Sequence, residues 1–210
     1  MAASSSTSPL YNRLLSELKP LHDRLFDDVF KYGSPTTVER RSRSQAFHPR
    51  AAAYFGALNI DFYIVKTRSQ PDTDRMFSED SLVSEELKRA AMTYNRCKEG
   101  AVALSPALEK MFGGDLEVES VKQFNVDVKP LLHLFLEHEV GHEKIVTHDI
   151  FVIRAKNGSS FVFDPTGYQF GFNNYLWTYD EYKSRFVNGK PRPVCPEEEA
   201  RTRSSAAWAK

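Results

Sequence analysis

The stretch HDIFVIRAKNGSSFVFDPT, from His148 to Thr166, constrains this chain more than any other. Two runs rich in β-branched and aromatic residues, Ile150 to Ile153 and Phe161 to Phe163, flank a segment holding Asn157-Gly158. That dipeptide readily takes the positive φ angles that tight hairpin turns demand, so the stretch predicts two antiparallel strands. His148 opens the hairpin and Asp164 closes it, which puts a base and a carboxylate on neighbouring strands.

The segment YNRCKEGAVALSPALEKMFGG supplies a nucleophile to go with them. Asn95 reads as an N-cap, which places Cys97 in the first turn of a helix with Ala101, Val102 and Leu104 on its apolar side. A thiol there meets unpaired backbone N–H groups and the positive end of the helix dipole, both of which favour thiolate. The same N–H groups suit an oxyanion formed on a carbonyl under attack. Pro106 is expected to end this helix, with Ser105 and Pro106 opening a second short one that stops at Gly113 and Gly114. A thiolate, a base within hydrogen-bond reach and a third group that orients the base are what nucleophilic catalysis requires. Cys97, His148 and Asp164 are the residues expected to fill those roles. Gln123 is a further candidate, as a side-chain donor to the oxyanion.

The remainder of the chain reads as helices followed by strands. Ser8 and Pro9 mark a helix start, and Leu10, Leu14, Leu15 and Leu18 recur at helical spacing until Pro20, which is expected to interrupt them. A second amphipathic segment carries Leu21, Leu25, Phe26, Val29 and Phe30 and stops near Gly33. LNIDFYIVK, Leu58 to Lys66, reads as a strand, TRSQPDTD as a loop, and SLVSEELKRAAMTY as a helix. In KPLLHLFLEHEV, Leu132, Leu134, Leu136, His138 and Val140 alternate as in a strand, while Leu132, Phe135, Leu136 and Val140 would share one face of a helix; both readings stand. Thr178 and Glu181 form a capping box for a helix carrying Tyr182 and Phe186.

The hairpin and the cysteine together resemble the transglutaminase-like branch of the papain-like cysteine enzymes. There a His begins one strand, a glycine-containing turn follows, and the next strand ends in Asp-Pro-Thr, as in HDIFVIRAKNGSSFVFDPT. The chain order Cys97, His148, Asp164 is the order this branch uses, and the likeness covers roughly residues 93 to 175. The resemblance implies an α+β, papain-like (transglutaminase-like) fold in which helices pack on an antiparallel sheet. It also implies cysteine-dependent hydrolysis or transfer of an acyl group from an amide or ester, carried by a protein or a small molecule, without a cofactor. Asn95, Gln169 and Trp177 are the expected substrate-side residues, the latter two within the aromatic-rich GYQFGFNNYLWTYDEY.

Two other readings compete. Arg96 and Lys98 flank the thiol, which motivates a papain-like scaffold repurposed for binding. His138, Glu139 and His142 form HExxH, with His148 six residues on, the ligand pattern of a zinc hydrolase. The glycine that metzincins place between the second and third His would fall at Ile145, and all four Met residues precede the motif. No metal is therefore expected, and His148 goes to the triad.

Composition narrows the setting. Lys plus Arg equals Asp plus Glu at 28 each, so no net field draws nucleic acid or an anionic membrane. The one basic run, Glu39 to Arg50, reads as a solvated loop. No apolar run approaches the eighteen or so residues of a membrane span, and two cysteines, Cys97 and Cys195, are too few for a disulfide framework. These features predict a cytoplasmic protein with an N-terminal helical region over 1–57, a catalytic core over 58–190 and a wrapping or flexible tail over 191–210.

Overall fold

In a computed structural model, residues 8–30, 36–41, 60–67, 77, 82–136 and 147–195 are described. The chain is α+β. Helix α1, Pro9–Arg24, is capped by the Ser8 side chain, which accepts from Tyr11 N, and continues into a π-helical turn, Leu25–Phe30. Strands β1, Thr36–Arg41, and β2, Asp61–Thr67, follow. Helices α2, Glu85–Thr93, and α3, Cys97–Phe112, precede strands β3, Val118–Val128, β4, Leu132–Leu136, β5, Thr147–Ala155, and β6, Ser160–Phe163. A 3-10 turn, Gly167–Phe170, leads to β7, Leu176–Thr178, helix α4, Tyr179–Phe186, and β8, Val187–Pro193.

The predicted hairpin is present. β5 and β6 pair antiparallel with Phe151 opposite Phe163 and Arg154 opposite Ser160. Gly158 takes φ +86° in the turn, a region that side chains disfavour, and its N–H bonds Ala155 O at 3.0 Å. Around the hairpin, a five-stranded antiparallel sheet runs in the order β7-β6-β5-β3-β8. Alternation along β5 gives the sheet two buried faces. Phe151, Ile153 and Ala155 pack with Leu10, Leu14 and Leu18 of α1 and Leu104 and Leu108 of α3, while Ile150 and Val152 pack with Tyr182 and Phe186 of α4.

Several expectations need correction. Pro20 lies within α1 and Pro106 within α3, and both helices run through them. The apolar stripe explains why. Leu10, Leu14, Leu18 and Leu25 are buried on both sides of Pro20, as are Leu104, Leu108 and Phe112 around Pro106, and both prolines face solvent. Continuous packing offsets one missing backbone hydrogen bond. Leu132–Leu136 is a strand and not a helix, but it leaves the main sheet to pair parallel with β2, in a second sheet of order β1-β2-β4. The two sheets therefore separate β4 from β5, which the sequence places in succession.

The expected boundary at 57 lies outside the described residues; α1 shares its core with β5 and β6, and β1 falls within the region expected to be helical. At the start of the expected tail, β8 continues to Pro193. Among the described residues, no helix is long and apolar enough to cross a membrane. The expected loop after β2, the end of the basic run and the tail beyond 195 lie outside the described residues.

Candidate active site

Cys97 is the first residue of α3, as its surroundings predict, but its cap differs. Arg96 holds the N-cap position at φ −110° and ψ 15° without a side-chain cap, and Asn95 precedes it at φ 56°. Asn tolerates the left-handed region better than most residues, which suits it to this turn. Its backbone N–H donates to Gln169 Oε1 at 3.1 Å, and Gln169 Nε2 donates to Thr166 O at 3.2 Å. Gln169 therefore ties the turn that introduces the cysteine to the turn that follows Asp164. Arg96 forms a two-pronged ion pair with Glu99, Nε to Oε2 at 2.5 Å and Nη2 to Oε1 at 2.6 Å, and lies over the Phe30 ring.

His148 and Asp164 meet as the hairpin requires. His148 Nε2 lies 2.7 Å from Asp164 Oδ1, and both side chains are fully buried. Oδ1 also accepts from Thr166 N at 3.3 Å, and Oδ2 accepts from the Tyr182 hydroxyl at 2.7 Å. A Cβ at Gly167 would stand 2.5 Å from Asp164 Oδ2, so this glycine lets the chain turn tightly under the carboxylate. Phe170 packs edge-on against the imidazole at 4.9 Å.

These contacts fix protonation states. Burial alone would lower the His148 pKa, but the Asp164 charge and hydrogen bond, with a smaller contribution from Cys97, outweigh it and raise the imidazole to about 10. Tyr182 is held well above its ordinary 10, first by burial and then by the Asp164 carboxylate, so it donates as a neutral phenol. His148 Nδ1 is buried and has no hydrogen-bond partner among the described residues.

The thiol's own hydrogen bond runs elsewhere. Cys97 Sγ is 3.7 Å from Asp149 Oδ2, and Asp149 Oδ1 accepts from Asn125 Nδ2 at 3.2 Å. Alternation along β5 puts Asp149 on the side of Phe151, the face that α3 covers, and His148 on the side of Ile150. Cys97 is partly exposed, whereas His148, Asp149 and Asp164 are buried.

The structure joins His148 to Asp164 and sets Cys97 against Asp149, the residue after His148, with Asn95 and Gln169 in supporting hydrogen bonds. Trp177 sits apart, buried among Val162, Phe172 and Phe186 with its N–H on Asn174 O at 3.0 Å, the position of a core residue. Gln123 lies opposite Phe151 in β3, on the face toward α3. Asp149 and Tyr182 were not foreseen. Asp149 had a signal, its adjacency to His148, while Tyr182 reaches Asp164 only through the packing of α4.

His138, Glu139 and His142 lie outside the described residues. Among the described residues no group of three or more His, Cys, Asp or Glu side chains is placed to hold a metal ion. His148 is committed at Nε2 to Asp164. No protein-family model, curated protein or solved structure matches this chain.

Proposed function

We propose that this chain is a cysteine-dependent enzyme of papain-like, transglutaminase-like type that hydrolyses or transfers the acyl group of an amide or ester. The observation that carries the reading is the buried His148–Asp164 pair at 2.7 Å, with Cys97 at the start of a sixteen-residue helix and its sulfur 3.7 Å from the neighbouring Asp149. In this reading the shared proton resides on His148, the Cys97 sulfur attacks the substrate carbonyl, and a C–S bond forms as the carbonyl π pair moves to oxygen. The first backbone N–H groups of α3, which have no acceptor within the helix, receive that oxyanion. His148 gives its proton to the departing amine or alcohol as the scissile bond breaks. Water or an amine then attacks the thioester, returns a proton to His148 and releases the sulfur. Asp164, held by Tyr182 and Thr166, keeps the ring oriented throughout.

Turnover of an activated ester such as p-nitrophenyl acetate tests the reading directly. Cys97→Ala is expected to abolish it and Cys195→Ala to leave it unchanged; full retention in Cys97→Ala sinks the proposal. A second reading, a scaffold repurposed for binding, draws on the thiol's hydrogen bond to Asp149 in place of His148. It predicts that Cys97 reacts with iodoacetamide no faster than exposed Cys195 at neutral pH, whereas the enzyme reading predicts selective labelling of Cys97.

A further inference from the structure

Among the described residues beside the candidate nucleophile, two buried or half-buried charges are paired and one buried carboxylate is not. His148 is matched by Asp164, and Arg96 by Glu99. Asp149 is 4% exposed, accepts from Asn125 Nδ2 and the Cys97 thiol, and has no cationic partner among the described residues. A buried carboxylate with only an amide and a thiol for company is costly to maintain. Its place is also specific, because Oδ2 is the polar atom at hydrogen-bond distance from the sulfur on the face covered by α3. An acyl group bonded to Sγ therefore stands close to this carboxylate.

We infer that Asp149 is a specificity residue that anchors a cationic nitrogen, an ammonium or guanidinium, carried by the acyl donor close to its reacting carbonyl. The inference rests on the acyl-chemistry reading above and names its substrate class. A bound cation would take over Oδ2 from the thiol and supply a charge to match Asp149, whereas neutral or anionic donors would leave the carboxylate uncompensated beside the reaction. Asn125 is the positioning residue, holding Oδ1 so that Oδ2 faces the sulfur.

Charged thiosulfonates test this without a known substrate. The full chain is treated at neutral pH with 2-aminoethyl and with 2-sulfonatoethyl methanethiosulfonate, and adducts at Cys97 and at exposed Cys195 are timed by peptide mass spectrometry. Taking the cation-to-anion ratio at each cysteine cancels differences in thiol reactivity. The ratio at Cys97 should exceed that at Cys195 by about tenfold, the lower end of what a focused cleft field produces, and Asp149→Asn should bring the two ratios together. A ratio at Cys97 no higher than at Cys195, or unchanged in Asp149→Asn, overturns the inference. Should that variant unfold, the wild-type chain answers instead: ethylammonium should slow iodoacetamide labelling of Cys97 while propionate does not, and equal effects overturn it. Ethylamine that leaves the free thiol unprotected but speeds loss of the acetyl group from acetylated Cys97 would move the cation to the acceptor and overturn the donor assignment. Ester turnover without a raised ratio leaves the chemistry and removes the cation site; a raised ratio without turnover leaves the cation site and removes the chemistry.

Discussion

Two buried histidines are displaced in opposite directions, and together they shape how the fold responds to pH. His22 of α1 stacks on Tyr175 at 4.5 Å, and its Nε2 is buried without a hydrogen-bond partner among the described residues. Burial, chiefly, lowers its pKa from 6.5 to about 4. The unfolded chain takes up a proton that the folded one refuses, so stability falls as pH drops from about 6.5 toward 4, by up to about 3 kcal/mol. His148 behaves in reverse. Its raised pKa contributes stability that is complete below 6.5 and lost as pH climbs toward about 10. Urea unfolding across pH should thus show a maximum near neutrality, with the acid limb flattened in His22→Phe and the alkaline limb in His148→Asn; limbs that stay unchanged would refute the assignment. Tyr182→Phe belongs to the same scale. It strips one donor from the buried Asp164 and should cost about 1.5–3 kcal/mol. In the enzyme reading kcat also falls with KM little changed, because the imidazole is held less firmly.

Helix α3 connects those residues to the sheet, and its proline is informative. Pro106 leaves Val102 O without its helical N–H, and the Ser105 hydroxyl bonds Ala101 O at 2.9 Å beside the gap. Because Pro106 is exposed and the buried stripe continues past it, the proline contributes little packing. Pro106→Ala should therefore stabilise the fold by about 1–3 kcal/mol, read as a raised Tm, with ester turnover unaffected since Cys97 lies more than two turns away. A destabilised variant would mean that the ring is needed where it is. The proline rule failed at this position for a tertiary reason: local propensity sees a missing hydrogen bond, whereas the sheet sees Leu104, Leu108 and Phe112 in register. The hairpin was legible because its information is local, in Asn157-Gly158 and two apolar runs. Strand β3 was not, because VESVKQFNVDV has no clean apolar alternation and is a strand through pairing with β5 on one side and β8 on the other.

At the level of the whole molecule, what the sequence concealed is what the chain brings together over long distances. The parallel pairing of β2 with β4, the reach of Tyr182 to Asp164 and the meeting of Cys97 with Asp149 each join segments whose local sequence says nothing of the other. The His148–Asp164 contact was legible because the two residues bracket one hairpin, and the place of Cys97 because its surroundings start a helix. The same architecture bears on the HExxH motif, whose zinc chemistry needs three protein ligands converging at about 2 Å from one ion. His148, the third ligand in that scheme, has no exposed surface, is bonded through Nε2 to Asp164 and carries its proton at neutral pH, and a protonated imidazole does not bind metal. Removing it from Asp164 would also leave a buried carboxylate with one fewer donor. The purified chain should accordingly contain much less than one zinc per molecule by elemental analysis. A His138→Ala, His142→Ala double variant should retain ester turnover, and His148→Ala should lose it. Stoichiometric zinc, or activity that a chelator removes and zinc restores, would return Glu139 to the role of general base and dismantle the cysteine assignment.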